Sequence, residues 1–176
     1  MKQDLPLWQF AGFSLVSLGG TLLHFLYDWT HQSLWAAPFS GVNESTWEHM
    51  KLLYFPLFLF AVVQHFFFRQ PNFWWVKLGG TFLGLVLIPV LFYTLSGVFG
   101  KTSAAVNIGI FFLSAAAVFL WEYPRLKRQS PSWGAGWIPL GILCLTGVLF
   151  VLFTFAPPRF PLFCDPLTGR YGILRS

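Results

Sequence analysis

Long apolar runs separated by short polar stretches dominate the chain. Five runs are long enough to cross a hydrocarbon core about 30 Å thick, which takes roughly 20 helical residues. They lie near residues 8–27, 52–68, 76–95, 104–123 and 137–155. Backbone groups that face lipid must hydrogen bond within their own segment, and the runs lack the alternation of barrel strands. The pattern predicts an all-α integral membrane protein, a five-helix transmembrane bundle forming a single domain over residues 1–176.

Composition places the chain in the lipid bilayer. Hydrophobic residues make up 56% of it and charged residues only 10%, whereas roughly a quarter of the residues in soluble domains are charged. The net charge is +5, but the basic residues are scattered between apolar blocks and form no basic face. Nucleic-acid binding is therefore not expected.

The distribution of Lys and Arg predicts the orientation, because loops on the cytoplasmic side carry an excess of these residues. If the amino terminus is inside, the cytoplasmic side carries Lys2, Arg69, Lys77, Arg125, Lys127 and Arg128. The opposite side then carries Lys51 and Lys101 in its loops and Arg159, Arg170 and Arg175 in the tail. We expect the amino terminus inside and the carboxyl terminus outside, so that the first loop and the tail are extracytoplasmic.

Small residues recur where transmembrane helices need to approach closely. The string LGGT occurs twice, once around Gly19 and Gly20 and once around Gly79 and Gly80. Glycines let helix backbones come together in a membrane. We interpret both copies as packing sites. Cys144 is expected within the fifth helix and Cys164 in the tail, and this difference in depth argues against a disulfide.

The densest polar residues surround the end of the first helix, in HFLYDW (24–29) and NESTWEHMK (43–51). His24 and Asp28 are four residues apart and so share a helix face. In one interpretation His24 makes an interhelical hydrogen bond and Asp28 caps the next turn. In the other, both side chains point into an outward-open polar pocket.

The second string also has two interpretations. Ser45 and Glu48 have the spacing of a capping box, in which each side chain bonds the backbone N–H of the other residue. If the helix instead begins near Asn43, Glu44 and Glu48 share a face and need a cation or a shared proton between them. His49 then lies about 100° around the helix from Glu48.

Imidazole and carboxylate groups suit a divalent metal such as zinc. The predicted metal ligands are His24, Asp28, Glu44 and Glu48, and the predicted catalytic residues are Glu48 and His49. The spacing matches no established metal motif. His65 is excluded from the cluster, because sixteen helical residues carry it about 24 Å from His49.

The tail alternates prolines with large apolar side chains, as a disordered segment seldom does. Asp165-Pro166-Leu167-Thr168-Gly169 has the pattern of a turn closed by the Asp side chain. We expect residues 157–176 to fold over the outer face of the bundle, either as part of the site or as a simple shield for helix ends. The predicted substrate or lid residues are Asn43, Asp165, Arg170 and Tyr171.

The blocks HFLYDW, APFSGVNESTWEHMKLLYFP and FTFAPPRFPLFCDPLTGRYGI resemble an uncharacterised bacterial family of multi-pass membrane proteins, classed as a domain of unknown function. The similarity spans nearly the whole chain. It implies a small prokaryotic integral membrane protein of about five helices in the cytoplasmic membrane, and it implies no activity. WEYPRLKR (121–128) departs from the pattern, so Glu122 is given no functional role.

Two classes of function follow from the predicted pocket. In the first, the protein is a metal-dependent hydrolase in the membrane that acts on a lipid or lipid-linked substrate, with a carboxylate or imidazole as general base. In the second, it is a non-enzymatic protein that binds or transports an ion or small molecule, or serves a partner protein. Transport by five helices would require a homo-oligomer, because alternating access usually uses paired repeats.

Overall fold

The computed structural model describes residues 4–100, 102–128 and 134–173. It contains helices α1 (Leu5–Trp29), α2 (Thr46–Phe67), α3 (Phe73–Phe99), α4 (Ala104–Lys127) and α5 (Trp137–Phe155), and a short 3-10 helix at Pro161–Phe163. All five α-helices are long and apolar enough to cross a membrane. Within these ranges the only β-type pairing is an isolated bridge between Cys164 and Tyr171. The predicted all-α, five-span fold class is confirmed.

Several helices extend beyond the predicted apolar runs. The largest difference is at α2, which begins at Thr46 rather than near residue 52. Ser45 caps this helix, since its hydroxyl accepts a hydrogen bond from the backbone N–H of Glu48 at 3.4 Å. Hydropathy alone misses residues 46–51 because this stretch contains Glu48 and Lys51. Both side chains are nevertheless buried.

The first four helices form the main bundle, and α5 lies against one side of it. α1 and α3 each pack against both α2 and α4, while α5 packs against α2 and α3. The core between them includes Val16, Leu53, Phe60, Ala115 and Val118, all 5% exposed or less. The ends of α1 and α3 therefore meet the beginnings of α2 and α4 at one end of the bundle, which we call the cavity end.

Glycines set how closely α1 approaches its neighbours. A Cβ at Gly12 would overlap the rings of Phe60 and Phe119, and a Cβ at Gly20 would overlap the ring of Phe111. Gly12 is thus level with Phe119, and Gly20 with Phe111, in the antiparallel pair of α1 and α4. In the other LGGT copy, Gly79 lies against the ring of Trp121. Both copies pack helix against helix, as the sequence indicates.

Two lysines that the orientation argument places in loops lie inside helices instead. Lys51 in α2 and Lys77 in α3 are both buried, and each forms an ion pair of 2.6 Å, with Glu48 and Glu122 respectively. Neither is a loop charge, so neither contributes to the number of Lys and Arg residues compared between the two sides of the membrane. Lys2, Lys101 and Arg175 lie outside the described residues. Among the described residues, the predicted orientation rests on Arg69, Arg125, Lys127 and Arg128 near one end of the bundle, against Arg159 and Arg170 in the tail.

Candidate functional site

A cavity of about 1000 Å³ opens at the cavity end of the bundle. Each of the first four helices contributes to its wall, together with Glu44 of the first loop and two residues of the tail. Its lining is mostly apolar and aromatic, with a few polar groups. The lining residues are Gly20, Thr21, His24, Phe25, Glu44, His49, Leu52, Phe92, Ser96, Gly100, Thr102, Ala104, Asn107, Ile108, Phe111, Phe112, Pro166 and Leu167.

Three of the predicted site residues meet on one wall of this cavity. Glu44 lies between two imidazoles, with Oε1 at 3.7 Å from His24 Nε2 and Oε2 at 3.6 Å from His49 Nε2. The two ring centres are 5.7 Å apart. All three side chains are partly exposed. We call them the His–Glu–His cluster.

Local hydrogen bonds position the cluster. Ser45 N donates to Asn43 Oδ1 at 2.8 Å, which holds the chain around Glu44 just before α2 begins. His49 Nδ1 lies 3.0 Å from the carbonyl oxygen of Ser45. Because a carbonyl only accepts, Nδ1 carries the hydrogen, and in a neutral ring the lone pair of Nε2 then faces Glu44. Two acceptors that face each other attract a proton or a cation into the space between them.

Glu48, predicted as a metal ligand and as a catalytic residue, points elsewhere. Its carboxylate accepts the backbone N–H of Val42 at 3.1 Å and pairs with Lys51 at 2.6 Å. Lys51 Nζ also donates to Ala37 O at 2.9 Å and to Thr154 Oγ1 at 2.8 Å. The pair therefore ties the first loop to α2 and α5.

Of the two predicted schemes for NESTWEHMK (43–51), the capping box forms only in part and the shared helix face does not form. Ser45 is the N-cap, but the Glu48 side chain reaches Val42 rather than the Ser45 N–H, which is taken by Asn43. The capping box is thus one-sided. Because α2 starts at Thr46, Glu44 stands outside the helix and does not stack on Glu48, so the shared-face alternative is not what forms.

The remaining predicted ligand, Asp28, lies one turn beyond His24 on α1. Its side chain is exposed, and it is outside the set of residues that line the cavity. His65 lies at the opposite end of α2 from His49, with its ring against Phe73 and Trp74. The structure brings His24, Glu44 and His49 together, whereas Glu48 points to Lys51 and Val42 and Asp28 lies outside the cavity wall.

The tail packs against the cavity end of the bundle. Asn43 Nδ2 donates to the carbonyl of Gly172 at 2.9 Å, which links the first loop to the tail. Phe163 packs its ring against Trp47 of α2. Pro166 and Leu167 reach the cavity wall. Asn43 thus has a bridging contact in this structure, while the tail borders the cavity.

The predicted turn at Asp165 is confirmed. Its carboxylate accepts from Leu167 N and from Thr168 Oγ1, both at 2.8 Å, and Gly169 takes a positive φ of 68°. Arg170 is exposed, and its carbonyl accepts from Asp165 N. Hydrogen bonding to the Cys164 thiol raises the pKa of Tyr171 above its ordinary value. Cys164 and Cys144 are both free thiols, as expected.

Sequence reasoning missed a pair of polar groups in the cavity wall that bond to each other. Thr102 Oγ1 donates to Asn107 Oδ1 at 2.9 Å at the start of α4, and both residues line the cavity. The available signal was an Asn three residues into an otherwise apolar run, just after the Ser103 cap. The distances to the His–Glu–His cluster depend on packing between helices, which the sequence does not display.

The residue types of the cluster are those of a metal site, but the two Nε2 atoms and the carboxylate oxygens do not surround one common position. Over residues 4–100, 102–128 and 134–173, no group of three or more His, Cys, Asp or Glu side chains is arranged to hold a metal ion. The cluster as it stands is a carboxylate bridging two imidazoles. Such a group can share protons, and it can bind a cation if the rings close on the carboxylate.

Comparison with known proteins places the chain in a protein family. The model of a family of unknown function (DUF6512) matches residues 1–173. No curated protein and no solved structure matches the chain. The match includes every residue of the cavity wall and of the tail turn, and it confirms the resemblance to a family without an assigned function.

Proposed function

The chain belongs to DUF6512, a family of unknown function, and we propose that it is a membrane-embedded, metal-dependent hydrolase acting on a lipid or lipid-linked substrate. The observation that carries this proposal is the carboxylate of Glu44, which lies between the Nε2 atoms of His24 and His49 on the wall of a large cavity. Perturbable acids and bases gathered in a mostly apolar pocket are the usual composition of an active site.

The proposed metal ligands are His24, Glu44 and His49, with zinc as the best-suited ion. Catalytic zinc sites use three such protein ligands and keep the fourth position for water. Ligand atoms of tetrahedral zinc lie about 3.4 Å apart. The two nitrogen–oxygen separations here are 3.7 and 3.6 Å, but they run to different oxygens of the Glu44 carboxylate, so both imidazoles would have to move for the three groups to surround one ion. The bond from His49 Nδ1 to a backbone carbonyl is the support that metal-binding histidines commonly have.

This ligand set changes the role of three predicted residues: His49 becomes a ligand, and Glu48 and Asp28 are no longer ligands. Glu48 is committed to Lys51 and Val42, so a separate carboxylate base is not at hand. If His24, Glu44 and His49 held a zinc ion, the metal would lower the pKa of a bound water to near 7, so that no separate base would be needed. Net hydrolysis would then add the elements of water across the bond to the leaving oxygen, with the hydroxyl group on the carbonyl or phosphoryl centre and the proton on the leaving oxygen. Asp28 is left out of the proposed set because of its exposed position.

The cavity supports a substrate with both apolar and polar parts. Its volume of about 1000 Å³ is at the upper end of the range for small-molecule sites. Phe25, Phe92 and Phe112 offer an apolar surface for acyl chains, while Asn107 and Thr102 offer hydrogen bonds to a head group. In this proposal the tail forms one rim, with Asp165 holding the turn that carries Leu167, and with Arg170 and Tyr171 beside it.

We further propose that the amino terminus lies inside, in the cytoplasmic membrane of a bacterium. The basic residues that support this orientation are Arg69, Arg125, Lys127 and Arg128, which lie near the end of the bundle opposite the cavity. The cavity would then open on the extracytoplasmic side, where the substrate is a lipid of the outer leaflet.

The proposal is tested by metal content. The full chain, purified in detergent and loaded with zinc, should bind about one equivalent, as expected for a single centre of this ligand type. His24→Ala and Glu44→Gln should each lose most of it. His65→Ala, at the other end of α2, is the matched control and should keep it. Equal zinc binding by all four proteins, or none by the unaltered chain, would contradict the proposed site.

Hydrolysis is tested separately, by incubating the zinc-loaded protein with bilayers made from bacterial lipids and analysing the lipids by mass spectrometry. New products should appear with the unaltered chain and not with Glu44→Gln. Zinc binding without any product would leave the alternative, in which the same cavity binds or transports an ion or small molecule. That alternative rests on the same His–Glu–His cluster.

A further inference from the structure

A second polar group lies inside the membrane-spanning part, away from the cavity. Lys77 in α3 and Glu122 in α4 form an ion pair with 2.6 Å between Nζ and Oε2, and the two side chains are 3% and 1% exposed. The ammonium also lies 5.5, 5.6 and 5.9 Å from the ring centres of Phe60, Phe73 and Phe119. Ionisable residues within a membrane span are costly, and they commonly mark functional sites.

Polar side chains from the other two helices of the main bundle lie at the same level. Phe60 contacts Gly12 of α1, Phe119 of α4 and Lys77 of α3, so these residues share a layer. Gln64, Gln9 and Glu122 each lie about one helical turn further from the cavity end than Phe60, Gly12 and Phe119 respectively. We call Gln9, Gln64, Lys77 and Glu122 the four-helix polar layer, to which α1, α2, α3 and α4 each contribute one residue.

Much of the hydrogen-bonding capacity of this layer has no partner within the described part of the chain. Both amide atoms of Gln9, both amide atoms of Gln64 and Oε1 of Glu122 are buried without a hydrogen bond. Gln9 and Gln64 are 6% and 0% exposed. Buried polar groups are almost always hydrogen bonded, because burying an unpaired one costs free energy. Something other than these protein atoms should therefore bond to them.

Apolar residues close the layer on both sides. Beyond it lies the cluster of Leu5, Phe68, Phe73, Val76 and Leu126, all less than 5% exposed. On the cavity side lie the packed rings of Phe60 and Phe119. Glu122 is fifteen residues along α4 from Asn107 of the cavity wall, or about 22 Å. The layer is thus separate from the proposed hydrolytic site.

The chemistry of the layer selects the ligand. The charges of Lys77 and Glu122 neutralise each other in the ion pair. A bound cation would be repelled by the Lys77 ammonium, and a bound anion would be repelled by the Glu122 carboxylate. Each carboxamide offers both donors and an acceptor, and Glu122 Oε1 is an acceptor. A ligand that satisfies all of them is small, neutral, and both a donor and an acceptor. A Cβ at Gly80 would lie 2.7 Å from Glu122 Oε1, so the glycine lets the Glu122 side chain lie directly against α3.

We propose that the four-helix polar layer is an internal water-binding site within the membrane span. Buried waters typically make about three hydrogen bonds each to polar groups that lack other partners, and the amides of Gln9 and Gln64 and the free oxygen of Glu122 provide such groups. Water at this position gives the Glu122 carboxylate a neighbour with which it can exchange a proton inside the bilayer. The site is independent of the proposed hydrolase activity.

Solid-state NMR on the full chain in lipid bilayers tests the proposal. With ¹⁵N-labelled glutamine side chains, magnetisation is transferred from water protons to the amide nitrogens. Gln9→Leu and Gln64→Leu each remove one signal and so assign both. The reference is Gln70, whose side chain is partly exposed and donates to Leu126 O at 2.8 Å. We expect the Gln9 and Gln64 signals to build up as fast as the Gln70 signal.

A dry layer gives the opposite result. Build-up for Gln9 and Gln64 several times slower than for Gln70 would overturn the proposal and indicate that the amides bond only to each other or to the ion pair. If a leucine variant fails to fold, assignment through selective labelling of the Gln64–His65 pair keeps the measurement on the unaltered chain. In folded Gln64→Leu, the build-up of the Gln9 signal should slow, because the shared water loses a partner.

Discussion

Glu44 and Glu48 are chemically alike and four residues apart, yet they do different things. The Ser45 cap starts α2 between them, so Glu44 stays in the preceding loop and turns to the imidazoles of His24 and His49. Glu48 lies in the first helical turn, where its side chain is 2% exposed and Lys51 is close behind it. One residue is available for chemistry at the cavity, and the other stabilises the loop.

The Glu48–Lys51 pair yields a prediction at the residue scale. Glu48→Ala should lower the free energy of unfolding by about 3–5 kcal/mol, because it leaves the Lys51 ammonium buried without its counter-ion. The double variant Glu48→Leu with Lys51→Met should recover much of that loss, since a buried pair can be replaced by apolar groups. Unfolding of the detergent-solubilised chain in increasing dodecyl sulfate measures both. A double variant no more stable than Glu48→Ala would contradict the account.

At the scale of elements, glycines decide how the helices pack. Gly20 lets α1 lie against the Phe111 ring of α4 and, at the same time, close to the Leu52 carbonyl of α2. Gly12 does the same against Phe60 and Phe119. Without a hydrophobic force between helices in lipid, such close contact is a main source of association. The register that results brings His24 and Asn107 to the same end of the bundle.

Gly20→Ala should therefore destabilise the bundle by about 1–3 kcal/mol, because the added methyl group would overlap the Phe111 ring and crowd the Leu52 carbonyl, and such overpacking is costly. Gly141→Ala in α5 is the matched control, since nothing lies within 4 Å of a Cβ there. It should be neutral or stabilise the protein by up to about 1 kcal/mol through helix propensity. Thermal unfolding of the two variants side by side makes the comparison. Equal effects would show that Gly20 is not a packing site.

At the scale of the whole molecule, the two ends of the bundle differ. The cavity end carries the first loop, the tail and the His–Glu–His cluster, and the other end carries Arg69 and the basic residues at the close of α4. Two lysines and two glutamates are removed from this balance because they are buried as ion pairs. The predicted orientation thus rests on fewer loop charges than a count along the sequence suggests. The excess of basic residues is still at the end opposite the cavity.

Thiol labelling tests this orientation. Cys164 in the tail is partly exposed, and Cys144 faces outward from α5, where lipid would cover it. In intact cells a membrane-impermeant maleimide should label the unaltered chain and should not label Cys164→Ser. Labelling that requires permeabilised cells would place the tail inside and reverse the proposed topology.

Several features follow from the sequence alone because each is decided within one segment. Hydropathy determines the five spans, since a helix in lipid needs only its own length of apolar residues. The Ser45 cap and the Asp165 turn are closed by backbone groups a few residues away. The small residues of LGGT mark close packing for the same reason, because the absence of a side chain is a property of the position itself.

Only the tertiary structure decided which polar groups meet. Glu44 rather than Glu48 joins the two imidazoles, because the direction of each side chain depends on where α2 begins and on how α1 packs against it. Glu122 is given no role because of the sequence around it, but its side chain is buried and paired with Lys77, forty-five positions away. Thr154 completes the surroundings of Lys51 across 103 positions. Helix length is a local property, whereas the partner of a buried charge depends on the arrangement of separate helices in space.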